Sequence, residues 1–204
     1  MLLAIDTATD ACSVALFDGE TLIARAHEIT GRGHAERLVP MIAALPESGR
    51  ADAILVDCGP GSFTGLRVGL ATARALGLGW GAEVHGYSSL ALMAVMAFAK
   101  ADMPDRLAAT ILGGHGEMFI QRFTTDPFAE IAPLASLTPE AAIAAIEEPL
   151  LVGNAAAQLA GLAGKGEAID LLPDAAKALA LPQAFRSLPP HPIYGRAPDA
   201  RPSQ

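Results

Sequence analysis

An apolar run from Ala53 to Val56 gives way to Gly59-Pro60-Gly61-Ser62-Phe63-Thr64-Gly65, and a Leu- and Ala-rich stretch follows from Leu66 to Leu78. The run reads as a buried strand, the Gly/Pro cluster as a turn, and the last stretch as a helix. Ser62 or Thr64 could accept a hydrogen bond from the first free helical amides, so a capped helix start is expected. A glycine turn at a helix N-terminus gathers N–H groups that suit an anion. The spacing nevertheless departs from the common phosphate patterns. A P-loop needs Lys and Ser/Thr after its last glycine, where this chain has Leu66-Arg67, and Gly59, Gly61 and Gly65 run one residue too long for the dinucleotide pattern.

Gly65, Gly69, Ala73 and Gly77 recur every four residues and form a small-residue stripe on one face of that helix. Each interior glycine costs about 1 kcal/mol relative to alanine. Three of them imply the close approach of another backbone, either the chain's own sheet or a helix of a second chain. Arg67 and Arg74 interrupt the apolar stretch, which argues against a membrane span.

Hydrophobic residues make up 51% of the 204 residues and charged ones 18%, as in a protein with a sizeable core. Neither a signal peptide nor an anchor is visible, and Cys12 and Cys58 read as buried thiols, so a cytoplasmic location is expected. The net charge of −8 is evenly spread, with 7 basic and 11 acidic groups in residues 1–104 and the same in 105–204. Such a surface repels a nucleic-acid backbone, apart from a thin basic tail of Arg186, Arg196 and Arg201 beside Asp199.

Strands are expected at Leu2 to Ile5, Cys12 to Phe17 and Thr21 to Ile29, with a hairpin turn at Asp18-Gly19. His34 to Leu45 reads as an amphipathic helix that Pro40 should bend. Val84 to Gly86 is a further strand, and Ser88 caps a helix reaching about Ala99. Asp102 to Asp105 reads as a linker between a first lobe, 1–103, and a second, 104–204. The pattern then restarts: strands at Leu107 to Leu112 and Met118 to Phe123, a helix opened by Thr138-Pro139-Glu140, a strand at Leu150 to Val152 and a helix at Asn154 to Leu162. The fold class is α/β, built on a duplicated β-β-β-α-β-α order.

Asp6-Thr7-Ala8-Thr9 follows the first strand. A carboxylate with hydroxyls on a turn could hold a hydrated cation and phosphate, or Asp6 and Thr9 could simply satisfy turn amides. A helical metal motif needs two histidines four apart, but the position four after His34 is Leu38 and Glu36 points elsewhere. His34 is expected at a helix start or an interface. Ser62 does not lie in a G-x-S-x-G elbow, and His115 reads as a turn residue. No catalytic residue and no metal site is assigned.

Leu3-Ala4-Ile5-Asp6-Thr7-Ala8-Thr9, His34-Ala35-Glu36-Arg37-Leu38-Val39-Pro40-Met41-Ile42, Gly59-Pro60-Gly61-Ser62-Phe63-Thr64-Gly65-Leu66-Arg67 and Tyr194-Gly195-Arg196 together resemble the TsaB (YeaZ) family. The resemblance is close through residues 1–90 and looser beyond. It implies a two-lobed actin-like, sugar-kinase-like (ASKHA) fold and a non-catalytic subunit of the complex that forms N6-threonylcarbamoyladenosine in tRNA. It further implies a TsaD-like catalytic paralogue and a TsaE-like ATPase as partners, a homodimer when alone, and tRNA reached only through the complex. No cofactor is implied for the isolated chain, with ATP and magnesium entering only in the complex. Pairing would use Gly65, Leu66, Gly69, Ala73, Gly77, His34 and Leu38, while Asp6, Thr7, Thr9 and Gly61 would be a vestigial phosphate site. A stand-alone ASKHA ATPase or phosphotransferase is the alternative. Gly113-Gly114-His115-Gly116-Glu117 departs from the family's usual turn.

Overall fold

A computed structural model of the chain describes residues 1–195. The apolar N-terminal run forms β1 (Leu2–Asp6), which pairs antiparallel with β2 (Ala11–Asp18); β2 turns at Gly19 into β3 (Thr21–Ile29). β2 is buried on both faces, whereas β3 alternates between exposed and half-buried positions at the sheet edge. After α1 (His34–Ala43), β4 (Ala53–Asp57) lies parallel to β1; after α2 (Phe63–Trp80), β5 (Glu83–Tyr87) lies parallel to β4. α3 (Ser89–Phe98) follows, its first turn capped by Ser88.

The second half repeats the scheme with β6 (Arg106–Leu112), β7 (Met118–Thr125), β8 (Phe128–Leu137), α4 (Pro139–Ala145), β9 (Leu150–Val152), α5 (Ala156–Ala163) and β10 (Glu167–Ile169). The sheets run β3-β2-β1-β4-β5 and β10-β9-β6-β7-β8, one topology read from opposite ends. The fold is therefore the duplicated α/β architecture expected from the element order.

Two strands were not anticipated, and the clearer case is β8. Its Pro133 demotes a strand reading, yet β8 lies at the sheet edge, where a missing N–H breaks no ladder. α2 also starts earlier than its apolar stretch, because Ser62 accepts a hydrogen bond from Gly65 N at 3.3 Å and draws Phe63 to Gly65 into the first turn.

α3 lies between the two sheets. Leu90, Leu92 and Met93 share one apolar cluster with Leu55 and Tyr87 of the first sheet and Leu107, Phe123 and Val152 of the second. The opposite face of the first sheet is covered by α1 and α2, through Leu38, Met41, Leu70 and Ala73.

Beyond β10 the chain returns to the first sheet. Ala175 N donates to Ser13 Oγ at 2.9 Å, and Arg25 meets Asp174 at 3.3 Å. Leu188 and Gly86 then exchange two backbone hydrogen bonds alongside β5, and Ile193 N donates to Cys58 O at 2.7 Å. Arg186 is half-buried, while Arg196 and Arg201 of the expected basic tail lie outside the described residues.

Candidate functional site at the strand ends of the first sheet

β1 and β4 are parallel neighbours, with Ile5 opposite Val56, so Asp6 and Asp57 leave the sheet side by side at its carboxyl edge. That edge is where open α/β sheets bind ligands. Both carboxyls are buried and lie close enough to influence each other's titration. Asp6 Oδ2 accepts from Tyr87 Oη at 2.9 Å; Asp57 accepts from Ser89 Oγ at 2.6 Å and from Gly59 N at 2.7 Å. Among the described residues no basic side chain pairs with either acid. Burial, and then the Asp57 charge, push Asp6 well above the usual carboxylate range; burial pushes Asp57 up to about 6. Two like charges cannot both be held in this dry position, so the pair shares a proton. Burial and the two acids likewise push the Tyr87 phenol upward, keeping it a neutral donor.

Asp57, Tyr87 and Ser89 were missed from sequence. The available signal was the acid closing the Ala53 run, since a carboxylate that ends a strand parallel to β1 must lie beside Asp6.

Asp6, Thr7, Thr9 and Gly61 do come together, and the side chains of the first three are engaged with the chain's own backbone. Asp6 Oδ1 and Thr9 Oγ1 each accept from the amide two residues on, both at 3.3 Å, which is the plainer of the two readings of this turn. Thr7 Oγ1 donates to Gly65 O at 2.8 Å, and Ser62 N donates to Ala8 O at 2.6 Å. A Cβ on Gly61 would overlap Ala8 O, so the two turns are in backbone contact. Gly59 takes φ 97°, a left-handed conformation that a side chain would strain. Among the described residues no group of three His, Cys, Asp or Glu side chains could share a metal.

The small-residue stripe also faces inward. Gly65, Leu66, Gly69, Ala73 and Gly77 are all buried in the chain's own fold. A Cβ on Gly65 or Gly69 would strike Thr7, and one on Gly77 would stand 2.6 Å from Val84. The close approach implied by the glycines is therefore to the turn after β1 and to β5, which corrects the assignment of this stripe to a partner interface. His34 and Leu38 are buried as well, and His34 Nε2 lies 3.2 Å from Ala11 O. The free surface of the layer is its opposite side: Ala35, Val39 and Ala43 on α1, and Phe63, Arg67, Ala71, Arg74, Ala75, Leu78 and Gly79 on α2, all exposed.

Two like-built halves, an acid at the end of β1 and a glycine turn feeding a helix after β4 define an actin-like protein of the ASKHA class. An ethanolamine utilization protein EutJ from Carboxydothermus hydrogenoformans shares the fold at TM-score 0.52 and 11% identity. YeaZ from Pseudomonas aeruginosa is far nearer, at TM-score 0.76 and 28% identity over 95% of this chain and 98% of that one.

The family model described as "TsaD: tRNA N6-adenosine threonylcarbamoyltransferase" matches residues 26–177, about three quarters of the chain. The chain belongs to this threonylcarbamoyltransferase-related family, on its TsaB (YeaZ) side. It is 39% identical over 130 residues to the tRNA threonylcarbamoyladenosine biosynthesis protein TsaB of Escherichia coli, covering 61% of this chain and 55% of that protein. The same-named protein of Haemophilus influenzae is 45% identical over 103 residues, 48% of this chain and 43% of its own length. The chain thus spans about half the length of the curated relatives it matches.

Proposed function

We propose that the chain is a non-catalytic subunit and activator of the complex that forms N6-threonylcarbamoyladenosine beside the anticodon of tRNAs reading codons that start with A. The observation that carries this reading is α1: Leu38 stands, buried, where a helical metal motif needs its second histidine, and the imidazole of His34 lies against Ala11 O. The names of the E. coli and H. influenzae relatives support the pathway. In this reading a TsaD-like paralogue supplies the chemistry and docks on the exposed side of α1 and α2. A TsaE-like ATPase joins the pair, ATP and magnesium enter only with the complex, and tRNA is reached only through it. Alone in the cytoplasm, the chain forms a homodimer.

The Asp6–Asp57 pair at the sheet edge favours one competing reading, a stand-alone ATPase or phosphotransferase. Sedimentation of the chain with its TsaD-type paralogue, beside calorimetry of the chain alone with ATP and magnesium, separates the two. The accessory reading predicts a stable heterodimer and no heat of nucleotide binding. ATP binding by the isolated chain without any pairing would reverse the choice.

A further inference from the structure

The second sheet is less fully covered than the first. α2 runs for 18 residues, and Leu76 and Trp80 from its last turns, with Val84 of β5, pack on the core of the first sheet. Its counterpart α5 has only 8 residues and stops at Gly164, whose φ of 64° is a left-handed helix end. Beside that end a hollow of about 120 Å³ opens between α4, α5 and β9. Its walls are Ile143, Ile146, Leu151, Leu159 and Ala163. Leu151 and Leu159 belong to the buried cluster of this half, so the walls are fixed by packing. A water occupies about 30 Å³ in the liquid, and a dry cavity of about 150 Å³ accepts a benzene. The hollow therefore matches one branched aliphatic side chain.

The rim is polar and carries charges of both signs. Glu148 is fully engaged: both its oxygens accept from Arg122 Nε at 2.8 Å, and its side chain is 2% exposed. Glu147 accepts from Arg122 Nη2 through Oε2 at 2.9 Å, yet its side chain is 81% exposed and its Oε1 has no partner among the described residues. Lys165 lines the same rim, is exposed, and forms no salt bridge among the described residues. No ion pair joins Glu147 to Lys165, so a ligand with both charges can span them.

We infer that this hollow binds a small zwitterion with an aliphatic body, an α-amino acid of the size of leucine. The side chain enters the hollow, the ammonium meets Glu147 and the carboxylate meets Lys165. A polar side chain would give up its hydrogen bonds to water against these walls. Both rim groups stay in contact with water, so each pairing adds little energy. The aliphatic body supplies most of the affinity, and the charges select the zwitterion over its neutral or singly charged analogues. The site lies in the second half of the molecule and does not depend on the accessory-subunit reading.

The test is titration of the full chain with free L-leucine, followed by NMR of methyl-labelled Ile143, Ile146, Leu151 and Leu159. Their signals should shift together and saturate with a Kd in the millimolar range. Isocaproate, which lacks the ammonium, and isoamylamine, which lacks the carboxylate, should each bind about threefold or more weakly. Glu147→Gln should weaken leucine and isoamylamine but not isocaproate, and Lys165→Gln should weaken leucine and isocaproate but not isoamylamine. Ala163→Phe fills the hollow and should abolish all three. No saturable shift with leucine, or a shift that survives Ala163→Phe, overturns the inference. If Ala163→Phe disturbs folding, the two exposed rim variants decide: leucine bound equally by both and by the wild type overturns it as well. Isocaproate or isoamylamine binding as tightly as leucine defeats the choice of a zwitterion.

Discussion

Asp57 holds more of the local chemistry than any residue singled out from the sequence. It accepts hydrogen bonds from the turn before α2 and from the first residue of α3, and it shares a proton with Asp6. An ordinary unfolded aspartate titrates near 4. A folded value of about 6 means that the native state keeps a proton the unfolded chain gives up. The stability contributed in this way is fully present below about pH 4 and is lost as the pH rises through the folded value. Its size is roughly 3 kcal/mol. Asp57→Asn keeps an acceptor for Gly59 N and removes the titration. Thermal unfolding at pH 5 and pH 8 should therefore show a smaller difference between the two conditions in the variant than in the wild type. An unchanged difference would mean that the pair is not the proton-holding group. The acid was legible at the end of the Ala53 run, but its meaning was not, because a charge pair across two strands appears only once their register is known.

α2 has two sides that one helix pattern does not tell apart. The four-residue recurrence of Gly65, Gly69, Ala73 and Gly77 correctly signals close packing, yet periodicity carries no information on what packs there. The turn after β1 fills that side, and a second, exposed strip of Ala71, Ala75 and Gly79 lies opposite. The consequence can be measured with two variants. Gly69→Leu should destabilise the fold by about 2 kcal/mol or more, because its side chain meets Thr7 in a packed core. Leu78→Asp should leave stability within about 0.5 kcal/mol of wild type while weakening pairing with the paralogue. Thermal melts with parallel pull-down of the paralogue read both effects; a stable Gly69→Leu protein that loses pairing would restore the inner stripe as the interface. Strands with uniform apolar runs, β1, β2 and β4, were legible to within a residue or so. β8 was not, because a proline and mixed polarity are tolerated at a sheet edge and mimic a loop.

At the scale of the whole molecule, duplication is what makes the reading possible. Two sheets of the same order place the two glycine-linked helical layers on separate faces and bury α3 between them. In the first half, the turns after β1 and β4 touch over a buried acid pair, and the adjoining helices keep an open outer side. The element order was readable from sequence. The contact between the two turns was not, since it depends on hydrogen bonds such as Thr7 Oγ1 to Gly65 O between residues far apart in the chain. The backbone contact between the two turns, beside an open helical surface, supports the proposed accessory role. The measurement that bears on this most directly is reconstitution of tRNA threonylcarbamoylation from purified components, with the TsaD-type paralogue and the TsaE-type ATPase, in the presence and absence of this chain. The account predicts modification that depends on the chain and survives Asp57→Asn. Full modification without the chain would contradict it.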